Sequence, residues 1–65
     1  MKYRDMARFL RDKGYVIIRS TSHEIWGKGS HTVAMPHISK GEINKMVARR
    51  LMKEIEAIEQ YARQN

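Results

Sequence analysis

The chain has 65 residues, a formal net charge of +6 and no cysteine. A domain this small buries only about 60% of the surface its unfolded chain exposes, which leaves a thin core and excludes a deep cofactor cavity. The missing cysteines exclude a disulfide framework and a thiolate zinc site, and no apolar run approaches the ~18 residues of a membrane span.

The charge is unevenly placed. Residues 1–53 hold twelve Lys and Arg against four acids, Asp5, Asp12, Glu24 and Glu42, whereas residues 54–65 hold Arg63 against Glu54, Glu56 and Glu59. A basic body of this kind is the electrostatic footprint of a nucleic-acid binder. The start of the chain carries an early acid, Asp5, and no continuous apolar segment, so no secretory leader is expected and a cytoplasmic setting is.

In chain order, Tyr3, Met6, Ala7 and Leu10 recur at helical spacing. They predict a helix over residues 2–13, stopped by Gly14, which tolerates positive φ past a last turn. Tyr15–Arg19 is aromatic and β-branched and reads as a strand. Ser20–Ser22 is a polar turn, His23–Trp26 a second strand, Gly27–Gly29 a tight connection and His31–Met35 a third strand. Pro36 has no N–H for a ladder bond and ends that strand. Ser39-Lys40-Gly41-Glu42 matches the capping box that opens a helix. Ile43, Val47, Leu51, Ile55 and Ile58 then form a stripe, widened by Met46, Met52 and Tyr61.

That stripe predicts an amphipathic helix over about residues 40–63, about 35 Å long at 1.5 Å per residue. Three short strands cannot cover that length, since five strand residues span roughly 17 Å. Its end is expected to pack on the first helix or on a second copy of the chain, giving a homodimer. Met6, Met35, Met46 and Met52 read as gap-filling core, and Trp26 as core also. The fold class is α+β: an α-β-β-β-α, two-layer arrangement of one three-stranded antiparallel sheet and two helices, in a single domain spanning 1–65.

All three histidines, His23, His31 and His37, fall in the two strand-like segments and their immediate exit. Histidine exchanges protons easily near neutrality, and on a basic body this points to acid–base chemistry on a polyanion. His23 and His31 lie across a short hairpin, where direct proximity is expected. Lys28 and Lys40 flank the histidine-bearing strands and, with Arg19 and Lys45, are candidate phosphate contacts. No established metal-ligand spacing is present, so no metal and no cofactor is expected.

Four features in order resemble the HicA toxins of bacterial toxin–antitoxin modules. They are a first helix ended by Gly14-Tyr15, a strand ending in Arg19, the pair Ser22-His23 followed by Trp26, and an apolar strand running into Pro36-His37. The resemblance covers residues 1 to about 52. It implies a double-stranded-RNA-binding-domain-like fold and an mRNA interferase, a metal-independent endoribonuclease of the stress response. It also implies a HicB-like antitoxin as protein partner. His23 matches the histidine of the family's Gly-Ser-His motif and takes the catalytic role by that match, with His37 and His31 as accessory acid or base. The chain departs from the pattern at Thr21, where the family has Gly, at Glu24, where it often has a second histidine, and at Ile38 after Pro36-His37. Its second helix also runs longer. Two other readings of the residues stand beside this one: a non-catalytic RNA-binding module, which Thr21 and Glu24 favour, and a helix-mediated protein-interaction module, which the long stripe favours.

Overall fold

The computed structural model describes residues 1–36 and 41–64. The order is α1 (Tyr3–Asp12), β1 (Val16–Ser20), β2 (His23–Lys28), β3 (His31–Pro36) and α2 (Lys45–Gln64). The strands form one antiparallel meander in the order β1-β2-β3. The core holds Met6, Ala7 and Leu10 of α1, Trp26, Val33 and Met35 of the sheet, and Ala48, Leu51 and Ile55 of α2, with Tyr15 and Ile43. Both helices therefore lie on the same face of the sheet, and the expected α+β class is what the chain adopts. Among the described residues, no helix is long and apolar enough to cross a membrane.

The end of α1 shows how locally the chain encodes its shape. Gly14 takes φ +96°. Its N–H donates to the Arg11 carbonyl at 2.9 Å, and the Tyr15 N–H to the Leu10 carbonyl at 2.9 Å. This pair of bonds closes a Schellman motif, and its accompanying apolar contact is supplied by Tyr15 and Leu10, both fully buried. The stop glycine thus also delivers Tyr15 into the core immediately before β1.

Two boundaries differ from the sequence expectation. Gly27 and Lys28 belong to β2, because Gly27 pairs with Thr32 and Lys28 with His31. The turn is only Gly29-Ser30, with Gly29 at φ +61° and no positive φ at Ser30, the pattern of a type II′ hairpin. The second helix begins at Lys45, later than the capping-box reading places it. Ser39 and Lys40 lie outside the described residues, and Glu42 forms an isolated antiparallel bridge with Lys2. The cap is instead Asn44, whose Oδ1 accepts the Met46 N–H at 2.8 Å.

Packing corrects two further expectations. Met46 is 78% exposed, while Met6 and Met35 are fully buried, so Met46 is not part of the core. The α2 stripe is covered within the chain: Ile55 is fully buried and Ile58 packs against the core cluster. Lys13 at the end of α1 pairs with Glu59 at 3.1 Å. Tyr61 stands edge-on to His31 with ring centroids 6.3 Å apart. Burial of Ile55 and Ile58 consequently does not call for a second copy of the chain.

Candidate functional site

The sheet has two unlike faces, and β2 shows both. Glu24 and Trp26 point toward the helices, opposite Met35 and Val33, and both are buried. His23, Ile25 and Gly27 alternate to the other face. That face has no helix on it. His23 is exposed there, paired in register with Pro36.

A bulge sets what stands beside His23. The β1–β2 register passes from Ile17↔Trp26 to Arg19↔Ile25, leaving Ile18 as the extra residue. In an unbroken strand, Arg19 would share the face of Ile17. The bulge instead turns it to the face of Ile25 and His23, which is a common use of bulges near functional sites. Arg19 and His23 are then diagonal neighbours across the two strands, about 7–8 Å apart and within reach of a long side chain. The Oγ of Ser22 lies 3.5 Å from Nδ1 of His23. The open face is otherwise apolar: Val16 is 63% and Ile18 58% exposed.

Glu24 occupies the position where the HicA pattern often has a second histidine. It has no access to the open face. One of its carboxylate oxygens, Oε1, accepts both the Tyr3 hydroxyl and the Trp26 indole N–H, the latter at 3.2 Å. The Arg11 guanidinium lies 5.6 Å from the centre of the Trp26 ring. Tyr3 is pushed up to about 12 by burial first, then by its hydrogen bond to Glu24 and by that carboxylate's negative charge; Arg11 opposes the rise. Glu24 is a buried structural acceptor, and Trp26 is core as expected.

The other predicted residues separate. His31 pairs with Lys28 at the far end of the hairpin from His23. Five residues of β2 lie between His23 and Lys28, roughly 17 Å at strand rise. Direct partnership of His23 with His31 is therefore excluded, contrary to the expectation from hairpin proximity: the two residues enter the same hairpin at opposite ends. Lys28 is also far from His23, folded back so that its Nζ donates to the Lys13 carbonyl at 2.7 Å and lies 6.0 Å from the Tyr15 ring centre. Lys45 is exposed at the start of α2. His37 and Lys40 lie outside the described residues.

Two features escaped sequence reasoning. A groove along the solvent side of α2 is lined by Met46, Arg49, Arg50, Lys53, Glu54 and Ala57. Arg49 and Arg50 were legible as cations, but not that they share a groove with Lys53. A cleft at the hairpin tip gathers Lys28 and His31 with residues of the last turns of α2, including Arg63. No spacing rule links those stretches; only the fold joins them. Among the described residues, no group of three or more His, Cys, Asp or Glu is placed to hold a metal ion. Comparison with family models, with curated proteins and with solved structures finds no match.

Proposed function

We propose that the chain is an RNA-cleaving domain of the HicA toxin type, acting on mRNA in the cytoplasm and silenced by a HicB-like antitoxin. The observation that carries this reading is the exposed His23 on the open sheet face with Arg19 turned toward it by the bulge. Cleavage without a metal requires the ribose 2′-OH to lose its proton as it attacks the adjacent phosphorus. It also requires the 5′-oxygen to gain one as it leaves. His23 performs one of these transfers, for which a positioned group typically gives about 10²–10⁴-fold. Arg19 stabilises the charge that develops on the phosphoryl oxygens. The second transfer belongs to water or to another group; His31 is too distant to supply it directly, and His37 keeps the accessory role that the resemblance gives it. Incubation of labelled RNA with wild-type protein and with His23→Ala, each with and without chelator, tests the reading. Chelator-insensitive cleavage lost in a folded His23→Ala supports it. Equal cleavage by the folded variant overturns it.

A second reading is favoured by where the cations are. Arg4 and Arg8 of α1 and Arg49, Arg50 and Lys53 of α2 are exposed on the helix layer, while His23 is on the opposite face. A non-catalytic domain that binds duplex RNA through phosphate and 2′-OH contacts would use that layer. Binding without cleavage, weakened by Arg49→Gln with Arg50→Gln and unaffected by His23→Ala, would select it.

A further inference from the structure

The hairpin tip and the end of α2 enclose a second, separate cleft. It measures about 390 Å³ and is lined by Tyr15, Lys28, Gly29, His31, Ile58, Glu59, Ala62 and Arg63. That volume falls within the usual range of small-molecule sites. It belongs to the helix side of the sheet and to the end of β2 away from His23, so the cleavage mechanism does not use it.

Its charge is selective. The one lining carboxylate, Glu59, is already paired with Lys13 at 3.1 Å. Lys28 and Arg63 remain as cations, and Arg63 offsets the negative end of the α2 dipole. Lys28 is held in place by the Lys13 carbonyl and the face of Tyr15, which leaves two of its three N–H donors for a ligand. An ammonium fixed in advance loses less entropy on gripping an anion. At the rim, Tyr61 is 60% exposed and meets His31 edge-on at 80°. An exposed aromatic ring beside cations is the platform on which nucleic-acid bases stack.

A further observation marks the cleft as unfinished. Tyr15 is only 1% exposed, yet its hydroxyl has no hydrogen-bond partner. Buried polar groups are nearly always bonded, and an exception calls for an explanation. The negative charge of Glu59 and burial both raise the Tyr15 hydroxyl above its ordinary range, burial being the larger cause. A ligand that draws Glu59 into a new position changes the surroundings of this hydroxyl.

We infer that this cleft binds a nucleoside monophosphate unit, with the phosphate on Lys28 and Arg63 and the base on Tyr61. The unit comes from a single-stranded RNA or from a free nucleotide. For the first source the inference rests on the RNA reading above, and the cleft is then a positioning site that grips substrate roughly 17 Å along β2 from His23.

Titration followed by amide NMR tests this with adenosine monophosphate, adenosine, inorganic phosphate and a short 2′-O-methyl RNA that cannot be cleaved. Adenosine monophosphate should shift residues 28, 31, 61 and 63 and leave residue 23 unmoved. Tyr61→Ala and Lys28→Gln should each weaken binding by roughly ten-fold, while Tyr61→Phe retains it. Saturation by the RNA at the same residues identifies the polymer as the source; saturation by the mononucleotide alone identifies the free nucleotide. The inference is overturned if adenosine monophosphate and the RNA both leave these residues unshifted. Binding indifferent to Tyr61→Ala and Lys28→Gln, or inorganic phosphate binding as tightly as the nucleotide, also overturns it. Occupancy of the cleft without any RNA cleavage would sink the catalytic reading alone. Cleavage by His23 with an empty cleft would sink this one alone.

Discussion

His23 and Glu24 are adjacent in the chain, yet the pleat of β2 gives them opposite environments. On the helix side, Glu24 is held by Tyr3 and Trp26, and Trp26 is fully buried. On the open side, His23 has Ser22 at 3.5 Å and Arg19 diagonal to it, with no helix above. The comparison teaches that acid–base potential in a sequence has to be divided by face. The two titratable neighbours cannot act as a pair, because a strand turns successive side chains to opposite sides. One is committed to stability and the other is available for chemistry.

The largest test of that division is on the inner face. Trp26→Ala should cost about 3–5 kcal/mol, the usual loss for an aromatic removed from a core. A 65-residue domain has only about 3–10 kcal/mol in total at typical stability per residue. Urea unfolding should therefore show a largely or wholly unfolded chain. A native-like transition would mean that the inner face is not the core it resembles. The outer face should respond in the other currency. His23→Ala should lower RNA cleavage by about 10²–10⁴-fold with a thermal midpoint within a degree or two of wild type. A large drop in stability would show that His23 is a structural residue and would dissolve the contrast.

Glu24 sharpens the comparison at an intermediate size. Glu24→Ala leaves the Tyr3 hydroxyl and the Trp26 N–H without their acceptor, at a cost of about 1–3 kcal/mol. Glu24→Gln keeps an acceptor oxygen and should recover part of that loss. Cleavage by the folded variants should be unaffected; a change in the rate or its pH profile would show that the two faces communicate. The smallest effect is expected at alkaline pH. Tyr3 holds its proton more tightly when folded, at about 12 against an ordinary 10.0. Its contribution is therefore complete below pH 10 and declines as pH rises toward about 12. The stability difference between wild type and Tyr3→Phe should shrink across that interval, measured by urea midpoints. A difference that stays constant would remove Tyr3 ionisation from the account.

Much of the architecture was legible because its signals are local. Gly14 ends α1, β-branched runs mark the strands, and the 43-47-51-55-58 stripe marks α2. The start of α2 was misread for a physical reason: Ser39-Lys40-Gly41-Glu42 has capping-box chemistry, but residues around Glu42 pair with Lys2 instead, and Asn44 takes the cap. The site was legible only in part. His23 could be named from its motif, but not Arg19 as its neighbour, because the bulge at Ile18 reverses the facing of everything that precedes it in β1. The role of Glu24 depends on Tyr3, twenty-one residues away in the chain. Lys28, His31 and Arg63 meet only after the hairpin and α2 have docked.

The same bulge has an effect at the next position on the open face. An added Cβ at Gly27 would come within 2.2 Å of the Ile18 Cδ1, and that contact is why Gly27 is buried on a face otherwise turned to water. Ile18 is more than half exposed and can swing outward, so the obstacle is a side chain rather than backbone. Position 27 is thus conditionally mutable: alanine there carries a penalty while isoleucine stands at 18, and much less once 18 is shortened. A substitution route through this strand would have an order, Ile18→Ala before Gly27→Ala, although each change by itself is a single small step.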